Sequence, residues 1–196
     1  TLDINRDFWN ERYLSLETGW DVGEITTPIK EYVNQLSDKK MKILIPGCGN
    51  SYEAEYLFKN NFQNISLLDY SDKALLNFIE RVPSFPKDNL LNINFFDCKG
   101  KFDLIIEQTF FCAINKKKRF EYVKKMYDLL NVNGKLIGLL FDDVLNDDKP
   151  PFGGTKDEYI KYFKPYFNLV VFETAYNSIL SRKGRELFII LRKKKI

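Results

Sequence analysis

The chain has 196 residues, 44% of them hydrophobic and 29% charged, a mix that builds a globular core and excludes a disordered segment. No apolar run approaches the roughly 18–20 residues that span a bilayer, and a net charge of +3 from 30 basic and 27 acidic residues is too balanced to imply a nucleic-acid surface. Histidine is absent, which excludes Ser-His-Asp and Cys-His triads and any metal site that needs an imidazole.

The predicted elements begin with an amphipathic helix over 6–16, where Phe8, Trp9, Tyr13 and Leu16 share one face. Gly19-Trp20-Asp21-Val22-Gly23 breaks it, and Pro28 opens a second helix to about 36. A buried strand over 41–45 runs into the tight turn Pro46-Gly47-Cys48-Gly49. A helix over 52–60, a strand over 65–68 ending at Asp69, and a helix over 72–81 capped by Ser71 follow. Strands are expected over 91–96, ending at Asp97, and over 102–106, ending at Glu107. A helix over 119–130 leads through an Asn133-Gly134 turn to a strand over 135–141. Thr155 caps a last helix to about 162, and two strands close the pattern at 167–174 and 186–192.

Strands alternating with helices specify an α/β domain with a mostly parallel sheet. The two final strands have no helix between them, so they pair as an antiparallel hairpin. The expected fold is therefore a Rossmann-like, mostly parallel sheet of seven strands with helices on both faces. It is read as a single domain over 1–196, with 1–25 as a covering segment.

The opening residues Thr1-Leu2-Asp3-Ile4-Asn5-Arg6-Asp7 lack a signal peptide's apolar stretch. Cys48, Cys98 and Cys112 form no CxxC pair, as expected of reduced thiols in the cytoplasm. The basic runs Lys116-Lys117-Lys118-Arg119 and Arg192-Lys193-Lys194-Lys195 are not interleaved with aromatics, so they read as solvated ends rather than nucleic-acid contacts.

In an open α/β sheet, ligands bind at the carboxyl ends of the strands. There the glycines of Gly47-Cys48-Gly49 admit a close backbone approach. Asp69, 20 residues beyond Gly49, puts a carboxylate where a ribose hydroxyl pair can donate to it. Asp97 can accept from an exocyclic amine such as the adenine N6. A dinucleotide site needs G-x-G-x-x-G, yet Asn50, Ser51 and Tyr52 follow Gly49. A P-loop is absent too. A short GxG turn without phosphate chemistry suits S-adenosylmethionine.

These residues resemble the class I S-adenosylmethionine-dependent methyltransferases, and within them the thiopurine S-methyltransferase-like family with its thiol and halide methyltransferase branch. The resemblance rests on Phe8-Trp9-Asn10-Glu11-Arg12-Tyr13, Gly19-Trp20-Asp21-Val22-Gly23, Ile45-Pro46-Gly47-Cys48-Gly49, Leu68-Asp69-Tyr70-Ser71, Phe102-Asp103-Leu104-Ile105-Ile106-Glu107, Phe110-Phe111-Cys112-Ala113-Ile114, Arg119 and Pro150-Pro151-Phe152. It implies that Gly47 passes the methionine moiety, Asp69 the ribose, and Asp97 with Cys98 the adenine. Trp9, Tyr13 and Trp20 would close over the cofactor. Cys48, Gly49, Tyr70, Ser71, Glu107 and Gln108 complete the implied cofactor set. Arg119, Phe110, Phe111 and Phe152 would face the acceptor. Three positions depart from the family pattern: Tyr13 stands where tryptophan is frequent, Glu107 where aspartate is common, and Gln108 where thiol and halide members carry an aromatic residue.

The expected activity is methyl transfer to a small soft nucleophile, a thiol, halide or similar, by in-line displacement. No catalytic base is assigned, because such nucleophiles are already anionic. No metal is expected, since Asp142-Asp143 and Asp147-Asp148 read as loop acids. The expected partner is a small-molecule acceptor, with neither nucleic acid nor membrane. A non-catalytic S-adenosylmethionine-binding module and a nicotinamide-dependent oxidoreductase are the alternatives.

Overall fold

A computed structural model describes residues 3–195. Thr1 and Leu2, which open the expected covering segment, and Ile196 lie outside the described residues. The chain divides into two compact units, one up to Cys98 and one from Lys99 onward.

The first unit opens with α1 (Arg6–Leu14), whose N-cap Asn5 accepts from Phe8 N. Leu16 takes a left-handed φ of 58°, so the helix stops short of the expected 16. α2 (Thr27–Asn34) carries Pro28 in its first turn, where its missing N–H costs nothing. β1 (Ile43–Pro46), buried throughout, precedes α3 (Tyr52–Lys59). β2 (Ile65–Leu68) precedes α4 (Asp72–Arg81), whose N-cap Ser71 accepts from Ala74 N. β1 pairs with β2 in parallel, Ile43 opposite Ile65.

The strand expected over 91–96 is only two residues long, β3 (Leu90–Leu91), parallel to β2. Two asparagines end it by offering the backbone other partners. Asn92 Nδ2 donates to the carbonyls of Asp69 and Tyr70, 3.1 and 3.2 Å away. Asn94 Oδ1 accepts from Phe96 N and starts a 3₁₀ turn over Phe95–Asp97.

The second unit contains β4 (Phe102–Gln108), α5 (Arg119–Leu129), β5 (Leu130–Phe141), α6 (Lys156–Phe163), β6 (Phe167–Thr174) and β7 (Glu186–Lys193). Asn133-Gly134 does not separate helix from strand as expected. Both residues lie inside β5, where Asn133 adopts φ 64° and the register against β4 shifts between Phe102 and Leu104. The extra residues are absorbed as a bulge. Gly138 sits where β4 and β5 approach closely, since a Cβ there would meet the Glu107 carbonyl oxygen at 2.0 Å.

The strands run β3-β2-β1 in the first unit and β4-β5-β7-β6 in the second, within one seven-stranded sheet. β7 is antiparallel to both β5 and β6, whereas β1 with β2, β2 with β3 and β4 with β5 pair in parallel. The expected mostly parallel sheet with a C-terminal hairpin is thus present, and β7, the last strand in sequence, occupies the inner place. Among the described residues, no helix is long and apolar enough to cross a membrane.

Candidate active site

In the first unit, the turn after β1 needs left-handed backbone at Gly47 (φ 57°) and Gly49 (φ 55°), conformations open to glycine at little cost. A Cβ on Gly49 would stand 2.8 Å from the Tyr13 hydroxyl. The turn is held from below by Asp69. Gly49 N donates to Asp69 Oδ2 and Ser71 N to Asp69 Oδ1, both at 2.8 Å. Burial pushes the Asp69 carboxyl up to about 6, against the opposing pull of the Gly49, Ser71 and Tyr70 N–H groups. Each carboxylate oxygen retains accepting capacity beyond its one backbone donor.

The expected aromatic cover forms one network. Trp20 meets both Trp9 and Tyr13 edge to face, at 5.8 and 5.7 Å between centroids. Tyr13 is buried, and its hydroxyl pKa is raised by burial and by the Asp69 charge. Asn10 and Asn50, which sequence reasoning left out of the site, tie this cover to the start of α4 and to the glycine turn respectively. Asn10 Oδ1 accepts from Ser71 Oγ at 2.6 Å, while its Nδ2 donates to Asp72 Oδ1 at 2.7 Å. Asn50 Nδ2 donates to Asp21, and Arg81 donates to the Asn50 carbonyl while pairing with Glu55. Asn10 lies within the Phe8–Tyr13 motif, but nothing local in the sequence names its partner.

The remaining first-unit candidates are placed less uniformly. Tyr70 is half-buried, with the Arg6 guanidinium 5.5 Å from its ring. Cys48 and Cys98 are buried free thiols, and burial with the Asp69 and Glu53 charges drives the Cys48 pKa well upward, so that it is not a nucleophile. Asp97 is exposed and ends the 3₁₀ turn rather than a strand.

In the second unit, Glu107 is fully buried near the end of β4. Its Oε1 accepts from Phe110 N and Phe111 N, both at 2.9 Å, and its Oε2 from the Tyr122 hydroxyl at 2.5 Å. Burial pushes its carboxyl up to about 7, with these three donors opposing. Its hydrogen bonding thus shapes the turn after β4. Gln108, half-buried, is the last residue of that strand.

Arg119, at the first position of α5, is 0% exposed. It donates to Glu158 Oε1 at 3.1 Å and to the Phe152 carbonyl at 3.2 Å. Its guanidinium carbon lies 4.6 Å from the Phe111 ring centre and 5.3 Å from that of Tyr159, close enough for cation–π attraction. Arg119, Phe111 and Phe152 thus come together, with Phe111 and Phe152 buried and Phe110 half-buried. Burial raises the Cys112 thiol to about 12. The loop acids are engaged elsewhere: Asp143 with Arg185, Asp147 with Lys116, and Asp142 with Lys156 N. Among the described residues, no group of three or more His, Cys, Asp or Glu is placed to hold a metal.

The family model described as thiopurine S-methyltransferase matches residues 4–193. The chain belongs to the thiopurine S-methyltransferase family. The match extends the resemblance past α6 through the final strands. The family comprises S-adenosylmethionine-dependent methyltransferases, so the expected enzyme class and cofactor stand. Thiocyanate methyltransferase 1 of Brassica oleracea is 30% identical over 184 residues, covering 91% of this chain and 81% of that protein. A thiopurine S-methyltransferase of Photobacterium profundum is 21% identical over 179 residues, covering 82% of this chain and 83% of that one. The fold is shared with 1,6-didemethyltoxoflavin-N1-methyltransferase of Burkholderia thailandensis, solved with S-adenosylhomocysteine (TM-score 0.77, 12% identity, 97% of this chain and 87% of that one).

The first-unit residues fit the cofactor. The glycine turn puts no side chain of its own at Gly47 or Gly49, Asp69 has oxygens to accept hydroxyls, and the Trp9, Tyr13 and Trp20 rings offer a cation an aromatic surround.

Proposed function

We propose that this thiopurine S-methyltransferase family member methylates a small sulfur nucleophile, a thiol or an inorganic sulfur anion, with halide as a secondary acceptor. S-Adenosylmethionine, when bound, supplies a methyl group on a sulfonium sulfur, open to in-line displacement by a soft nucleophile. The observation that carries the reading is the Asp69 clamp, one buried carboxylate holding Gly49 N and Ser71 N, with the Tyr13 hydroxyl packed on Gly49.

The chain's own residues bind, orient and exclude water. Asp69 accepts the ribose hydroxyls, and Gly47, Cys48 and Gly49 present backbone to the methionine moiety. Tyr70, Ser71, Asp97 and Cys98 frame the adenine side. Trp9, Tyr13 and Trp20 cover the cofactor, and their faces favour a cation by ~0.5–2 kcal/mol. Gln108 is a further cofactor contact, and Glu107 acts on the cofactor through the turn it holds. Phe110, Phe111 and Phe152 give the acceptor apolar walls, and Arg119 supplies a positive field that draws an anionic sulfur. A thiolate needs no proton removed, so the absence of histidine costs the reaction nothing. An aromatic surround also favours an attack in which charge is lost.

We place the protein in a reducing, cytoplasmic setting, on the support of three buried free cysteines. A nucleic-acid acceptor is disfavoured by the balanced charge.

The test is calorimetric titration with S-adenosylhomocysteine, with NAD as control, followed by labelled methyl transfer to hydrosulfide, thiocyanate, iodide and a thiol panel. Binding of S-adenosylhomocysteine alone and turnover on a sulfur acceptor are expected. Binding without turnover on any acceptor would mark a non-catalytic module, and NAD binding would overturn the reading.

A further inference from the structure

The second unit holds a polar group that no family motif quoted above includes. Glu186 is the first residue of β7, paired with Phe141 at the carboxyl end of β5, the edge where ligands of such sheets bind. It is 2% exposed. Among the described residues, Glu186 Oε1 has no hydrogen-bond partner, and neither has the buried Ser178 Oγ. The Ser178 hydroxyl faces the carboxyl and eases the upward pKa shift that burial imposes, without meeting full hydrogen-bond geometry.

The neighbours link this pair, through Arg182 and Cys112, to the segment that carries the acceptor candidates. The Arg182 guanidinium, 5% exposed, lies 5.7 Å from the Phe141 ring centre. Its charge reaches both Glu186 and the Cys112 thiol, and Cys112 accepts from Phe152 N through its carbonyl. Val144, Tyr176 and Leu180 stand 92%, 87% and 90% exposed on the two loops flanking the pair. A buried acceptor and a buried hydroxyl left unmet side by side are costly, and proteins keep few of them without a reason. A ligand N–H group would meet both: an ammonium donates to the carboxylate in a charge-assisted bond and to the hydroxyl oxygen with a second proton.

We propose that Glu186 and Ser178 recognise an N–H donor on the methyl acceptor, so that the substrate class is an amine-bearing thiol rather than a bare anion or an alkanethiol. This rests on the methyl-transfer reading above and names its acceptor.

The test compares kcat/KM for cysteamine and 1-propanethiol, thiols of similar size with and without the amine. The wild type is expected to favour cysteamine at least tenfold. Glu186→Gln should erase most of that preference, chiefly through KM for cysteamine, and Ser178→Ala should lower it about threefold. A wild-type ratio near one, or a ratio that both variants leave in place, would overturn the proposal. A binding arm needs no turnover: calorimetry with S-methylcysteamine and with methyl propyl sulfide. Should neither thiols nor hydrosulfide, thiocyanate and iodide be methylated, the methyl-transfer reading fails on its own. Selective, Glu186-dependent binding of S-methylcysteamine would still support the N–H site, and equal binding of the two sulfides would sink it. If Glu186→Gln does not fold, as judged by its melting curve, Ser178→Ala decides both arms.

Discussion

The two units hold their candidate sites together by different means. In the first, one carboxylate, Asp69, organises two backbone N–H groups, and the glycine turn lies between it and an aromatic cover. In the second, ionisable side chains are buried outright: Glu107 among two N–H groups and a phenol, Arg119 between Phe111 and Tyr159, Glu186 with an oxygen unmet. A backbone-built site is largely indifferent to the side chains around it and suits a cofactor shared by a whole family. A site built of buried side-chain charges changes with each substitution and suits an acceptor that differs from member to member.

That contrast is sharpened most by Glu107. Its folded pKa of about 7 lies above the ordinary 4.5, so between those values the folded chain keeps a proton that the unfolded chain has released. Stability from this group is therefore highest at low pH and falls as pH rises through about 7, by up to about 3 kcal/mol. Glu107→Gln can retain the two backbone bonds through its oxygen and donate to the Tyr122 hydroxyl, so it should lack this decline. Urea unfolding of both proteins at pH 4.5 and 7.5 measures it, and parallel behaviour of the two would show that the carboxyl is not held neutral.

Asp69→Ala probes the other side of the comparison. It removes the clamp and the proposed acceptor for the ribose, and S-adenosylhomocysteine affinity should fall by ~1–3 kcal/mol. The same carboxyl should make wild-type affinity rise as pH passes upward through about 6, because only the ionised form accepts two hydroxyls freely. Calorimetry across that range checks both, and a flat profile would remove Asp69 from the binding step. The smallest effect is expected from Asn10→Ala, which loses the bonds to Ser71 and Asp72 at about 1 kcal/mol. It should speed proteolytic nicking beyond α1, and S-adenosylhomocysteine should slow that nicking in the wild type. Equal resistance with and without ligand would argue against a covering role for this segment.

The sequence disclosed the first unit better than the second. A glycine turn and an acid 20 residues later are short-range signals, and the structure joins them by a direct bond between Gly49 and Asp69. The strand expected over 91–96 rests on the apolar look of Leu91 to Phe96, whereas Asn94 draws its own backbone into a turn and Asn92 spends its side chain on the Asp69 and Tyr70 carbonyls, distant in sequence. Asn10, Arg81 and Glu186 carried no local mark, since their partners lie far along the chain. Arg119 was named by resemblance, yet its burial between two rings depends on residues brought in by α6 and the turn after β4.

The inner position of β7 bears on how the molecule is made. Chains emerge from the ribosome amino end first, and β5 and β6 each complete their hydrogen bonding only against β7, which is synthesised after both. β1, β2 and β3 are all synthesised well before that moment. During synthesis, then, a nascent chain can shape its first unit's glycine turn and Asp69 clamp while β5 and β6 still await the strand that joins them, and those two open edges are where a chaperone would find something to hold.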